Sequence, residues 1–123
     1  MTTLLLVALG SALGAPARYL LDRFIQGSHD RVLPWGTLTI NVTGSFALGL
    51  LFGLASQSGM DSRVLAAVGT GFLGSYTTFS TFTWETVRLI EDRAYLAALS
   101  NVALSLFAGL AAVSAGIAVA ALS

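Results

Sequence analysis

The sequence predicts an all-α membrane protein with four transmembrane helices, the third of which is broken near its middle. Of the 123 residues, 55% are hydrophobic and 10% are charged, whereas a soluble domain carries about 25% charged residues. The mean hydropathy is +0.82, and four windows contain no Asp, Glu, Lys or Arg: 1–17, 32–60, 64–84 and 94–123. Since a span needs about 20 apolar residues, these windows predict four helices in a single transmembrane domain, 1–123.

Several function classes are excluded by what the chain lacks. It has no cysteine and one histidine, His29, so we expect no disulfide, thiol chemistry or histidine-rich metal site. A formal net charge of zero argues against a nucleic-acid partner. The first three residues, MTT, lack the basic character of a signal peptide. Because no nucleophile–base pairing is visible either, we predict that the chain is not an enzyme.

The first helix is predicted over about 4–24. Gly10, Gly14 and Ala17 are small residues spaced three or four apart, which in lipid permits close backbone approach between helices. Arg18 and Asp22 follow on one helical face. Arg18 is therefore either a snorkelling side chain paired with Asp22 or part of a positive vestibule that collects anions.

The second helix is predicted over about 35–57. It begins at Trp35, a typical interfacial anchor. A stripe of small and polar residues then recurs every four positions: Asn41, Ser45, Gly49 and Gly53. The stripe is either a tight helix–helix seam with Asn41 as interhelical glue, or a place where the Asn41 amide serves an ion pathway, because a buried amide must find partners.

The third helix is predicted over about 63–92, with a break near 74–78. The run 69–84 carries no charge but is rich in glycine, serine and threonine, which compete with or weaken regular helix. Irregular backbone at membrane depth is tolerated only where it is buried in protein or lines a cavity. Such a break exposes carbonyls for a cation and amides for an anion; the alternative is a helix merely bent by its hydroxyl residues.

Three side chains just after the predicted break are candidates for ion contact. Phe79 and Phe82 are three apart and share a face, and aromatic rings have positive edges that suit a partly dehydrated anion. The alternative is that both rings are ordinary core residues. Glu85 follows, and a carboxylate at this depth is a functional candidate, unless it marks only the approach to the interface.

The fourth helix is predicted over about 95–121. Asn101, Ser105 and Gly109 are four apart and form a second stripe of polar and small residues, while the rest of the helix is packing surface.

The orientation of the chain in the membrane stays open. If successive helices cross the membrane in opposite directions, five of the six arginines lie on one side of the membrane and Arg63 lies on the other. Arginines at the ends of helices carry less weight in setting the orientation. The five are Arg18, Arg23, Arg31, Arg88 and Arg93.

Three segments in order resemble one known family. They read GAxxRY over 14–19, WGTLxxNVxGSF over 35–46 and GFxGxxTTFSTF over 71–82. With the length and four-helix plan, they make the whole chain resemble the Fluc (CrcB) fluoride channels. The resemblance implies a passive fluoride-selective channel in the cell inner membrane, which exports cytoplasmic fluoride and relieves its toxicity. It also implies a dual-topology homodimer, with two subunits inserted antiparallel and two pores.

The resemblance further implies roles for particular residues. The amide of Asn41 and the hydroxyls of Ser80 and Thr81 would donate hydrogen bonds to fluoride in the pore, and the ring edges of Phe79 and Phe82 would face it. Asn101 and Ser105 would form the polar track of the fourth helix. Glu85 would lie near a pore mouth, and Arg18 in or near a vestibule. The backbone carbonyls of Gly74 and Thr77 would hold a structural sodium ion on the dimer axis. Two departures stand out: Ser75 replaces a glycine that is frequent in the family, and Asn101 aligns with a frequent tyrosine.

The alternative reading is a small dual-topology exporter of organic cations of multidrug type. Such an exporter needs a carboxylate inside helix 1 to exchange protons for substrate. The first seventeen residues hold no acidic group, so the sequence favours the channel. A third alternative is a membrane subunit that packs against other helices and transports nothing. That alternative does not explain the presence of Asn41, Phe79 and Phe82 together.

Overall fold

The computed structural model describes residues 1–28 and 33–123, and in those ranges it is helical with no strand. His29 and Arg31 lie outside the described residues. The helices are α1 (Thr2–Ser28), α2 (Trp35–Ser58), α3 (residues 62–76), α4 (Ser80–Glu91) and α5 (Tyr95–Ala121). Three stretches are long and apolar enough to cross a membrane: Thr2–Ile25, Trp35–Ser58 and Tyr95–Ala121. The chain is therefore a multi-pass membrane protein.

The helix ends are close to the predicted ones, with one clear difference. α1 continues to Ser28, about one turn beyond its predicted end near residue 24. α2 begins at Trp35, as predicted, and ends at a left-handed Gly59. Asp61 caps α3 by accepting a hydrogen bond from the Arg63 N–H (2.8 Å). That backbone bond lowers the pKa of Asp61, as does the Arg63 charge.

The third predicted helix is divided, because α3 ends at Tyr76 and α4 starts at Ser80. The division falls over 77–79, slightly later than predicted: Gly74 is still helical, whereas Thr77 is extended (φ −79°, ψ 160°). The Leu73 carbonyl accepts both the N–H and the hydroxyl of Thr77 (3.0 and 2.9 Å). These bonds complete the last turn of α3, so the backbone leaves the helix only after them.

Most of α3 is a π-helix, Leu65–Leu73, which the sequence did not predict. It lies against α1, where the Gly71 carbonyl accepts hydroxyl hydrogen bonds from Ser11 (3.2 Å) and Ser75 (2.9 Å). The Ser75 hydroxyl also approaches the Ser11 carbonyl (3.3 Å). Long π-helices are rare and often mark functional sites. Here the wider helix is tied to α1 through serine hydroxyls.

Small residues set the two main helix contacts, as expected in lipid. The predicted face of α1 packs on α3: a methyl group at Gly10 would overlap the Ala67 carbonyl oxygen, and one at Gly14 the Phe72 carbonyl oxygen. α2 lies along α5 in the same way. Large apolar side chains of α1 and α5 point outward, away from the described core. Examples are Leu5, Leu13, Leu20, Leu99, Phe107 and Leu110.

Gly116→Ala is expected to destabilise the folded protein by about 3 kcal/mol, the upper range for overpacking a tight contact. The added methyl would overlap the Phe46 carbonyl oxygen and stand 2.6 Å from the Leu50 amide nitrogen, neither of which can rotate away. The measurement is thermal denaturation in detergent, followed by helical circular dichroism. The matched control is Gly109→Ala on the same helix, whose methyl would lie 3.9 Å from its nearest neighbour. Equal stability of the two variants would contradict this account of the α2–α5 seam.

Candidate ion pathway beside the helix break

A groove of about 500 Å³ lies beside the break, between α2, α3, α4 and α5. Six of the predicted site residues line it together: Asn41, Gly74, Thr77, Phe79, Phe82 and Ser105. Ser45 and Gly109, from the two predicted stripes, line it as well. Residues separated by most of the chain therefore converge on one surface.

The lining of the groove is uncharged and mixed in polarity. Hydroxyl, amide and backbone groups near the break face apolar side chains such as Leu48 and Val102. No Asp, Glu, Lys or Arg lines it among the described residues. A pathway of this kind offers an ion partial charges without a full charge that would hold it tightly.

Asn41 holds the broken backbone in place. Its Nδ2 donates to the Thr78 carbonyl (2.8 Å), and its Oδ1 accepts from the Thr78 N–H (2.8 Å). The two bonds replace those that a continuous helix would give Thr78, whose backbone would otherwise be unpaired at membrane depth. Asn41 is thus interhelical glue at the break, while Nδ2 carries a second hydrogen that this pairing does not use.

Thr78 is a site residue that the sequence analysis missed. It is buried, lines the groove, and its hydroxyl oxygen accepts from the Thr81 N–H (3.1 Å). A threonine that accepts from an amide three residues ahead caps the start of a helix, here α4. A threonine just before a helix is a recognisable capping signal in a sequence. The signal could not be used here, because the predicted break near 74–78 left the first residue of the next helix undefined.

Phe79 and Phe82 form a pair at the groove, with ring centroids 5.9 Å apart and planes inclined by 44°. This centroid distance lies in the range in which aromatic rings attract each other. Phe82 is half-buried, whereas Phe79 is 77% exposed in the single chain. The Phe79 ring therefore lines the groove without being enclosed by the single chain.

Asn101 lies away from the groove, although the sequence placed it on one polar track with Ser105. It is 3% exposed, and its Nδ2 donates to the Thr86 hydroxyl (2.9 Å), which itself donates to the Phe82 carbonyl (2.8 Å). α4 packs on the first half of α5 and covers Asn101 there. Ser105, one turn further on, is left facing the groove.

The remaining predicted pore residues also lie outside the groove lining. Ser80 is exposed, and Thr81 is half-buried in the first turn of α4. Glu85 is half-buried, one turn beyond Phe82. Arg18 forms no ion pair with Asp22, both being described residues. Instead, its Nη1 donates to the Thr77 carbonyl (3.3 Å), so a side chain of α1 also reaches the break.

The two carbonyls predicted to hold sodium are of a suitable chemical type. Gly74 is exposed and lines the groove next to Thr77, and neutral backbone oxygens at a helix break are ligands that sodium uses. The Thr77 carbonyl already accepts a hydrogen bond from the Arg18 guanidinium. A bound cation would have to share this oxygen with Arg18.

The fold and the groove define a multi-pass membrane protein with an uncharged groove of mixed polarity beside a broken helix. The chain belongs to the CrcB family, since residues 5–117 match the family described as CrcB-like protein, Camphor Resistance (CrcB).

Named relatives match nearly the whole chain. It is 49% identical over 121 residues to fluoride-specific ion channel FluC 1 of Frankia casuarinae, and the match covers 94% of each protein. It is 53% identical over 112 residues to FluC 1 of Nocardia farcinica, covering 91% of this chain and 76% of the relative. It is 43% identical over 106 residues to FluC of Shewanella woodyi, covering 86% of each.

Proposed function

We propose that this chain forms a passive, fluoride-selective ion channel that exports cytoplasmic fluoride across the plasma membrane. The observation that carries the proposal is the convergence of Asn41, Phe79 and Phe82 on one uncharged groove beside the break. The names of the relatives, which are fluoride-specific ion channels, support the choice of ion. A channel has no reaction to catalyse, so the chain is a transporter and not an enzyme.

The chemistry of the groove suits a small, strongly hydrated anion. The pathway must replace the water around fluoride with donors that bind it well enough to enter and weakly enough to leave. The unused N–H of Asn41, the Ser105 hydroxyl and the ring edges of Phe79 and Phe82 are such donors. Ser80, Thr81 and Glu85 would serve the approach to the groove, and Arg18 would add positive potential behind the break.

The proposal includes four membrane crossings and an antiparallel, dual-topology homodimer. The third crossing would consist of α3 and α4 joined through the break, since their combined range, 62–91, contains the uncharged window 64–84. Phe79 lines the groove and is 77% exposed in the single chain, and a second subunit packed there would complete the wall. Two such subunits would enclose two pores.

A structural sodium ion at the dimer interface is part of the same proposal. The carbonyls of Gly74 and Thr77 would hold it, with the same carbonyls from the partner subunit. Its charge would offset part of the cost of bringing dehydrated anions close to the axis. Fluoride conductance that survives both complete removal of sodium and loss of these ligands would contradict this part.

The exporter alternative is not supported by the relatives, whose names are those of fluoride channels. The described part of α1 also carries its only carboxylate, Asp22, near its C-terminal end. A proton-coupled exporter would need one within the first half of the helix, where a substrate can reach it.

Fluoride efflux from liposomes tests the function directly. We expect liposomes that contain the purified chain to release fluoride rapidly down its gradient, as read by a fluoride electrode, and to retain chloride in a parallel measurement. No added nucleotide or proton gradient should be needed, because the transport is passive. Release of neither ion by a folded, dimeric preparation would overturn the proposal, and equal release of both would overturn selectivity.

A further inference from the structure

Four of the helices form two closely packed pairs, and the groove lies between the pairs. α1 packs along α3, and α2 packs along α5. Residues of α2 and α5 form one wall of the groove, and residues of α3, the break and α4 form the other. The width of the groove therefore depends on the contacts that hold α2 against the end of α3.

The end of α3 meets α2 through a hydrogen bond and a close backbone approach. The Tyr76 hydroxyl lies 2.9 Å from the Thr43 hydroxyl. Beside this pair, a methyl group at Gly44 would overlap Thr77 Cγ2 and lie 3.2 Å from the Tyr76 ring. Gly44 and Thr77 both line the groove, so the hydrogen bond lies immediately next to its wall.

The hydrogen bond between Thr43 and Tyr76 has a defined direction. Thr43 Oγ1 lies 2.7 Å from the Thr39 carbonyl oxygen and 3.1 Å from the Ile40 carbonyl oxygen, so its one hydrogen is directed to its own helix. Tyr76 therefore donates, and Thr43 accepts. The Tyr76 ring is also stacked on Phe72, with centroids 5.9 Å apart and planes inclined by 12°. This stacking holds the ring where its hydroxyl reaches α2.

The pair lies within the apolar span Trp35–Ser58 of α2. Thr43 is exposed in the single chain, and Tyr76 is half-buried. Hydrocarbon supplies no competing donor or acceptor at this depth, so a Tyr76 hydroxyl without Thr43 would be left unbonded in apolar surroundings, which is unfavourable.

We propose that Thr43 and Tyr76 form a latch that sets the width of the groove and thereby its selectivity for fluoride over larger anions. Neither residue lines the groove, so both are positioning residues that act through their neighbours Gly44 and Thr77. The proposal rests on the proposed channel and names what makes it selective. Donors at a fixed, narrow spacing can surround a small anion, whereas a looser groove has room for a larger one such as chloride.

Hydrogen exchange of the intact protein in detergent, read by mass spectrometry, tests the latch without reference to transport. Tyr76→Phe keeps the ring and removes only the hydroxyl, and Thr43→Val replaces the hydroxyl with a methyl group of similar size. We expect each to speed exchange in peptides containing the Thr77 and Thr78 amides by about threefold, the factor that corresponds to an average interhelical hydrogen bond in a membrane protein. The double variant should exchange no faster than either single variant, because both remove the same bond.

Matched variants control for the loss of a hydroxyl as such. Tyr95→Phe removes the hydroxyl of an exposed tyrosine on α5. Ser56→Ala removes a hydroxyl that donates within α2, to the Phe52 carbonyl (3.0 Å). Both should exchange like the wild type. Thr43→Ser keeps the accepting oxygen and should restore wild-type exchange.

Release of chloride from liposomes tests the role in selectivity. We expect Tyr76→Phe and Thr43→Val to release chloride, which the wild type, Thr43→Ser and both controls should retain. Loss of folded protein would lower the release of fluoride and add none of chloride. A gain of chloride release therefore separates a positioning role from a general effect on folding.

Two results would overturn the proposal. The first is exchange at Thr77 and Thr78 that stays at the wild-type rate in both latch variants, or that rises further in the double variant. The second is retention of chloride by both latch variants. Failure of the wild-type chain to release fluoride would instead overturn the proposed channel, while the exchange comparison would still decide whether the latch exists.

Discussion

Phe79→Ile and Phe82→Ile are each expected to reduce fluoride efflux by up to about tenfold while the protein remains folded and dimeric. Aromatic contacts contribute about 0.5–1.5 kcal/mol beyond area burial, and isoleucine keeps the bulk but removes the positive ring edge. The two rings, 5.9 Å apart, would face the ion in succession. Efflux from liposomes measures the loss, and size-exclusion chromatography checks assembly.

The matched control for the ring substitutions is Phe107→Ile, because Phe107 is 68% exposed on α5 and does not line the groove. Its efflux should stay close to that of the wild type. If Phe79→Ile and Phe82→Ile both conduct like the control, the rings are packing residues and the groove is not the pathway.

Asn41→Ala is expected to destabilise the protein by about 2–4 kcal/mol and to abolish efflux. The substitution leaves the N–H and the carbonyl of Thr78 unpaired, and an unsatisfied buried polar group costs about 1–3 kcal/mol. Both bonds are short, at 2.8 Å, and no regular helix can replace them at the break. Thermal denaturation in detergent measures the first effect, and liposome efflux measures the second.

Asn101→Ala provides the comparison for Asn41. It removes one hydrogen bond to a side chain, the Thr86 hydroxyl, and leaves the backbone of α4 and α5 paired. We expect a smaller loss of stability and retained efflux. Equal damage from the two substitutions would mean that Asn41 acts as general interhelical glue, without a special role at the break.

Much of the fold follows from local patterns. Charge-free windows located the helices, Trp35 marked the start of α2, and small residues at Gly10 and Gly14 marked the contact with α3. The division of the third helix also follows from its serine, threonine and glycine content, because these residues weaken continuous helix wherever they cluster. Such features depend on neighbours within one or two helical turns, which a sequence displays directly.

The groove was predictable in part. Asn41, Phe79, Phe82 and Ser105 were proposed as one site, and they line one groove. Thr78 was missed, because its role depends on the residue at which α4 restarts and on the position of Asn41 across the gap. Asn101 was assigned to the groove by its spacing from Ser105, but spacing along one helix cannot show where α4 crosses and covers it.

The amino-acid sequence by itself determined that this chain enters a membrane, where its helices lie, that the third one breaks, and which family it resembles. Only the tertiary structure decided that Asn41 pairs with Thr78, that Arg18 turns to the Thr77 carbonyl, and that the π-helix is tied to α1 through Ser11 and Ser75. The physical reason is that hydropathy and helix propensity act between near neighbours. The partners of an unwound backbone segment are set by which helices meet it in space.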